Sequence, residues 1–238
     1  MTSTIRRGVV IVGCVVALLT VLAVALPTTS RIVESTWHGT HDLPADLTTL
    51  TLDADAGDIT IRAAGPGETP GAEVTIRAGL TDPDVTSEVT AGRAELTSGC
   101  PNWWWDHCRV DWEIVVPADT ELDISNSVGE ITVTETSGPL NLSTNVGGIT
   151  ADGIASPTVR ADGSVGDISL DFSASPDSVE VSASTGDVSV TVPDDGTAYR
   201  VQTDASLGEV HSSLGSDPAG TQLIDVRTSV GDIILRRD

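Results

Sequence analysis

A glycine-centred unit returns at Gly129, Gly147, Gly166, Gly186, Gly208 and Gly231, at spacings of 18, 19, 20, 22 and 23 residues. Repetition on this scale restricts the chain to architectures in which one small unit stacks on its neighbours. Gly57 heads a seventh, displaced copy. Aligning the copies on the glycine produces columns. Seven residues before it stand Leu50, Leu122, Leu140, Val159, Val179, Val201 and Ile224, and five before it Leu52, Ile124, Leu142, Ala161, Val181, Thr203 and Val226. Two residues after it come Ile59, Ile131, Ile149, Ile168, Val188, Val210 and Ile233, and four after it Ile61, Val133, Ala151, Leu170, Val190, Ser212 and Leu235. The intervening residues are mostly Asp, Ser, Thr, Asn or Arg. An apolar period of two means strands with one buried face.

The unit is therefore strand, turn, strand, with turns such as Ser127-Val128-Gly129-Glu130 and Ser164-Val165-Gly166-Asp167. Glycine suits a backbone of positive φ, and the small Ser and acidic neighbours can hydrogen-bond locally. Prolines at Pro139, Pro157, Pro176, Pro193 and Pro218 fall between units, where they remove no ladder bond. One unit cannot enclose its own apolar face. The arrangement that sets like residues above like is a parallel β-solenoid of about six coils at about 4.8 Å per coil; an antiparallel β-sandwich is the alternative, since it also alternates. The solenoid is assigned to residues 118–238. Residues 47–117 carry four alternating segments, Leu50–Arg62, Glu73–Ala78, Glu88–Leu96 and Arg109–Val116, and are assigned to an N-terminal β-cap. The last unit stops at Asp238 without a capping element, which leaves an open coil and a route to a homo-oligomer through the C-terminal coil.

Gly8 to Leu26 is an uncharged run preceded by Arg6 and Arg7. Nineteen residues at about 1.5 Å each reach roughly 28 Å, enough for one transmembrane helix. The arginines keep residues 1–7 as a cytoplasmic stub and place the β domain outside, with residues 27–46 as a tether. Ala23-Val24-Ala25 also forms a signal-peptidase site, so cleavage after Ala25 would secrete the domain. Ile11-Val12-Gly13-Cys14 has the form of a lipoprotein processing box, but the chain stays apolar after Cys14. Acidic residues number 35 and basic ones 12; without Arg6 and Arg7, ten basic residues face 35 acidic ones outside, a net of −25. Such a surface repels phosphate backbones, which excludes nucleic acid as a partner.

Cys100 and Cys108 form a near pair, and in an exported chain such a pair favours a disulfide. They bound Pro101-Asn102-Trp103-Trp104-Trp105-Asp106-His107. Three readings of Trp103, Trp104 and Trp105 stay open: rings packed on the first face of the solenoid, rings at the membrane headgroups, or a recognition tip for a glycan or protein.

The strand ending in Val-Pro over Val110–Pro117, followed by Leu122–Val133 and the recurring small-x-Gly-Asp-Ile turns, resembles the bacterial β-strand-repeat "putative adhesin" family, a domain of unknown function in envelope proteins. The resemblance covers residues 47–238. It implies a right-handed β-solenoid-like domain behind a signal or anchor segment, and no catalytic residues. The Trp-bearing loop stands outside the family pattern.

Other constellations read as surface chemistry. Acidic residues follow the turn glycine at Asp58, Glu130, Asp167, Asp187, Glu209 and Asp232. These read as solvated turn residues rather than Ca²⁺ ligands, because the Gly-Gly-x-Gly-x-Asp pattern of calcium-binding β-rolls is missing. His38 and His41 in the tether are too few for a structural metal, and no metal or other cofactor is expected. A carbohydrate-active solenoid enzyme would need acids with a basic partner on one face, and Asp162, Asp204 and Arg160 or Arg227 lie on outward columns. The sequence thus points to a non-enzymatic protein of the cell envelope that presents an acidic β-repeat domain. Its role is adhesion, or binding of a cell-wall or envelope component or a protein; a purely structural scaffold and the enzyme are the rival readings.

Overall fold

In the computed structural model, residues 35–101 and 107–238 are described. The apolar segment 8–26, Cys14 and Trp103, Trp104 and Trp105 lie outside the described residues. Among those described there is no helix, and so none long and apolar enough to cross a membrane.

The apolar columns become two sheets laid face to face, each coil contributing one strand to each. Ahead of and between the coils run β1 (Ser35–Asp42), β4 (Gly71–Ala78) and β5 (Asp84–Thr90). The coils near the N-terminus are β2 (Thr49–Ala56) with β3 (Ile59–Ala63), β6 (Arg93–Gly99) with β7 (Cys108–Val116), and β8 (Glu121–Val128) with β9 (Ile131–Thr134). There follow β10 (Leu140–Val146) with β11 (Ile149–Ile154), β12 (Thr158–Val165) with β13 (Ile168–Phe172), and β14 (Ser178–Thr185) with β15 (Val188–Val192). The chain closes with β16 (Tyr199–Leu207) and β17 (Val210–Ser212), then β18 (Gln222–Val230) and β19 (Ile233–Arg237). Neighbouring coils pair in parallel with the predicted columns in register, as in Leu122↔Leu140↔Val159↔Val179. Leu50, Leu122, Ile131, Leu142, Val179 and Ile233 are fully buried or nearly so. Among the described residues antiparallel pairing is confined to β1–β4–β7 in one sheet and β5–β6 in the other. The parallel solenoid is therefore the fold, and the antiparallel sandwich is not.

Chain order and stacking order differ at both ends. Strands β6 and β7 form an outermost coil beyond β2 and β3, although they come later in the chain. At the far end β18 lies between β14 and β16, and β19 between β15 and β17. This corrects the expectation of an exposed last coil available for self-association: the unit carrying the C-terminus has a neighbour on each side, and the Asp238 amide donates to the Val192 carbonyl at 3.1 Å. The reason lies in the columns. Ile224, Val226, Ile233 and Leu235 gain most from burial on both sides, whereas the unit holding Val201, Thr203, Val210 and Ser212 contains two hydroxyl residues and loses least at the open end. That end is partly covered by its own chain: the Ser216 hydroxyl accepts from the Val201 amide at 3.1 Å, and Asp217 N–H donates to the Tyr199 carbonyl at 2.8 Å.

Two ladders run along the turns. The φ of the turn glycines lies between 139° and 155°, and a methyl group at Gly166 would sit 2.1 Å from the carbonyl oxygen of Gly147. Glycine is thus required for both conformation and contact. Asp58, Asp167, Asp187 and Asp232, which follow turn glycines, are not merely solvated, as expected from sequence. The Oδ1 of Asp58 accepts from the Glu130 amide at 3.1 Å, that of Asp167 from Asp187 at 2.9 Å, that of Asp187 from Asp232 at 2.8 Å, and that of Asp232 from Glu209 at 2.8 Å. Each carboxylate thereby satisfies an amide of the adjacent coil that the strand ladders leave unpaired.

Candidate functional site

The outermost coil departs from the repeat where the others turn on glycine. Register places Trp112 of β7 opposite Ile59 of β3, so Val110 stands where Gly57 stands in the next coil, and the tight turn is replaced by the segment between Cys100 and Cys108. The two cysteines are disulfide-bonded, with Cα atoms 5.8 Å apart. The described stems of this loop are fastened to the coil. The Cys100 amide donates to Asp55 Oδ2 at 2.9 Å, and Gly79 N–H donates to the His107 carbonyl at 2.7 Å. Arg109 donates to Asp111 at 2.8 Å and also to Asp58, while Arg77 pairs with the other oxygen of Asp111. Burial works against the charge on Arg109, but Asp111 and Asp58 outweigh it and hold the guanidinium above its ordinary pKa.

Behind the stems, Trp112 fills the end of the core. It is 1% exposed, and its indole N–H donates to Ser98 Oγ at 3.1 Å. Trp112 belongs to the same buried core as Leu43, Leu47 and Val74. His41 approaches Trp112 with ring centroids 6.0 Å apart, and His38 Nδ1 lies 3.1 Å from Thr75 Oγ1. Both histidines belong to β1, so residues 35–42, read as tether, are an edge strand instead.

A cleft of about 520 Å³ opens on the outer face of the sheet beside the 64–70 loop, lined by Thr40, Thr60, Arg62, Glu68, Glu73 and Glu113. Its cation is already engaged: Arg62 holds Glu68 with both amino groups, and this pairing, with the Gly65 amide, lowers the Glu68 carboxyl to about 2. Sequence reasoning missed the cleft because one wall is β1. On the opposite sheet Arg160 bonds Asp162 at 2.8 Å and Glu180 at 3.3 Å, Arg227 bonds Asp225 at 2.5 Å, and Asp204 lies in register with Arg227. Both arginines are exposed and each is ion-paired beside a depression of about 50 Å³ that Asp204 does not line, so each is neutralised locally, with the Asp225 side chain only 13% exposed. Among the described residues no group of three or more His, Cys, Asp or Glu side chains is placed to hold a metal.

The model of one family, Toastrack DUF4097, matches residues 44–236, which spans β2 through nearly all of β19. The chain belongs to the Toastrack DUF4097 family. A Toastrack domain accordingly includes the β2/β3 and β6/β7 coils as well as the regular repeat. Among solved structures, one named as a "putative cell adhesion protein" from Clostridium sporogenes is 14% identical, with 86% of this chain and 100% of that chain covered at a TM-score of 0.53. A "putative adhesin" from Bacteroides fragilis is likewise 14% identical, over 86% of this chain and 97% of that one, at a TM-score of 0.46. The first likeness extends to the fold. No curated protein matches the chain.

Proposed function

We propose that this Toastrack protein is a non-enzymatic component of the bacterial cell envelope. Residues 8–26 anchor or export it, the N-terminus stays cytoplasmic, and the acidic β domain outside binds a cell-wall or envelope component or a protein partner through the Cys100–Cys108 loop. The reading is carried by one observation: the loop that bears three consecutive tryptophans replaces a glycine turn, and both of its stems are tied to a rigid end coil by the disulfide, Asp55, Asp58 and Asp111. Ordering the base before contact lowers the entropic cost of binding, and tryptophan supplies large contact area with few rotatable bonds. The disulfide agrees with an oxidising compartment, and the name of the Clostridium fold neighbour points the same way. Replacing Trp103, Trp104 and Trp105 together by Ala should reduce sedimentation with isolated cell wall or membrane-stripped envelope at least tenfold, while leaving the unfolding midpoint within experimental error. Retained envelope binding at unchanged stability rejects the tip.

A further inference from the structure

In the six coils from Gly129 to Gly231 the residue before the turn glycine is exposed at the edge of the stack, whereas Ala56 before Gly57 packs against the core. Val128, Val146, Val165 and Val230 are 36–51% exposed and Leu207 is 70% exposed, so five of the nine large exposed apolar side chains among the described residues fall in this single column. Strand register sets them in one line: Val128↔Val146, Val146↔Val165, Val165↔Thr185, Thr185↔Val230 and Val230↔Leu207. Five steps at about 4.8 Å make a stripe roughly 24 Å long. Scattered apolar residues are normal on a surface, but a line of them interrupted only by Thr185, with an acidic border, marks a contact. The border is the carboxylate ladder: Glu130, Asp167, Asp187, Asp232 and Glu209 stand two residues beyond the stripe, each Asp using one oxygen on a backbone amide. No Lys or Arg occurs in these turns.

We propose that this edge docks a cationic amphipathic helix of a partner protein. A second copy of the chain would bring an equally acidic edge, and an anionic membrane surface would be repelled for the same reason. Spacing favours a helix over a strand. A helix lying along the stack offers one apolar side chain per 5.4 Å turn, against one valine per coil at about 4.8 Å. A strand in that direction offers one only every ~6.7 Å and falls out of step sooner. About 16 residues of helix span the stripe, with Lys or Arg on the flank facing the carboxylates. The stripe starts at Val128, two coils from the Cys100–Cys108 loop on the same edge of the stack, and its variants leave the tryptophans unchanged, so each surface is tested by its own substitutions.

The test uses the full chain in zwitterionic nanodiscs and a fluorescein-labelled 18-residue peptide carrying Leu on one helical face and Lys beside it, with empty nanodiscs as the blank. Binding is read by anisotropy at low and high salt. The expected result is saturable binding that weakens at least tenfold for a scrambled peptide of equal composition. It should weaken similarly for the Val128→Thr/Val146→Thr/Val165→Thr/Val230→Thr protein and for Asp167→Asn/Asp187→Asn/Asp232→Asn. Thr keeps the shape and strand preference of Val, and Asn keeps the acceptor for the neighbouring amide, so both variants should fold; Val165→Thr alone is the fallback, with a smaller loss expected. Absence of binding, equal binding of the scrambled peptide, or full binding by the valine variants at an unchanged unfolding midpoint overturns the proposal.

Discussion

Replacing Gly166 by Ala places a methyl carbon 2.1 Å from the Gly147 carbonyl oxygen and 2.5 Å from its carbon, at a φ of 142°. The conformation alone costs on the order of 1–3 kcal/mol for a residue with a side chain. Relieving the overlap requires the two coils to separate by more than 1 Å, at a turn where Gly147 N–H donates to Val165 at 2.8 Å and Gly166 N–H donates to Thr185 at 2.9 Å. Weakening one or two such bonds adds about 0.5–1.5 kcal/mol each. The sum is about 1.5–6 kcal/mol, a large part of a typical domain's stability. Two controls separate the terms. Gly196 has a φ of 85° with nothing within 4 Å of the added carbon, so Gly196→Ala should cost about 1–2 kcal/mol from conformation only. Gly215 lies outside the positive-φ region with equally open space, and Gly215→Ala should fall within about 0.5 kcal/mol of the parent. Urea unfolding followed by far-ultraviolet circular dichroism, with equal slopes required for comparison, should rank Gly166→Ala well below Gly196→Ala and that below Gly215→Ala. If Gly166→Ala is no worse than Gly196→Ala, the turns do not stack carbonyl against glycine and the spacing argument is wrong.

Asp187→Ala should destabilise by about 1–2 kcal/mol and Asp187→Asn by under about 0.5, because only the amide keeps an acceptor for the Asp232 N–H; equal losses would assign the effect to charge, read from the same urea curves. Reducing the Cys100–Cys108 bond should lower stability by roughly 2.5 kcal/mol on the chain-entropy estimate, and Cys100→Ser/Cys108→Ser should match it without further sensitivity to reductant. The Glu68 carboxyl should titrate near 2 by NMR and move upward in Arg62→Gln. Since the folded-state value is depressed, the contribution of the pair is present above the ordinary carboxylate range and is lost as pH falls toward 2; an unchanged midpoint in the variant removes Arg62 as the cause.

The columns of Leu, Ile and Val were legible in the sequence because a period of two and a fixed distance from glycine are local signals. Coil order was not, because exchanging two units keeps every column matched. Only Thr203 and Ser212, polar intrusions in apolar columns, mark the unit that belongs at the end. The β6/β7 coil escaped notice because Val110 replaces the key glycine and a disulfide loop replaces the turn, although Ala94, Leu96, Trp112 and Ile114 occupy the expected inward positions. Strand β1, with the sequence STWHGTHD, carries no apolar alternation and is recruited by the free edge of β4. The acceptor role of Asp167 and Asp187 depends on amides 20 and 45 residues away, beyond any local pattern.

Cysteine pairs across the outer sheet face test the stacking order most directly. Glu180 of β14 is in register with Asp225 of β18, which is in register with Gln202 of β16. Strands two steps apart are separated by about 9.6 Å, beyond the reach of a disulfide. Under mild oxidation the Glu180→Cys/Asp225→Cys protein should cross-link within the monomer, as mapped by peptide mass, and Glu180→Cys/Gln202→Cys should not. Efficient cross-linking of the second pair, with the first left reduced, would put the units in chain order and contradict the wedged C-terminal coil.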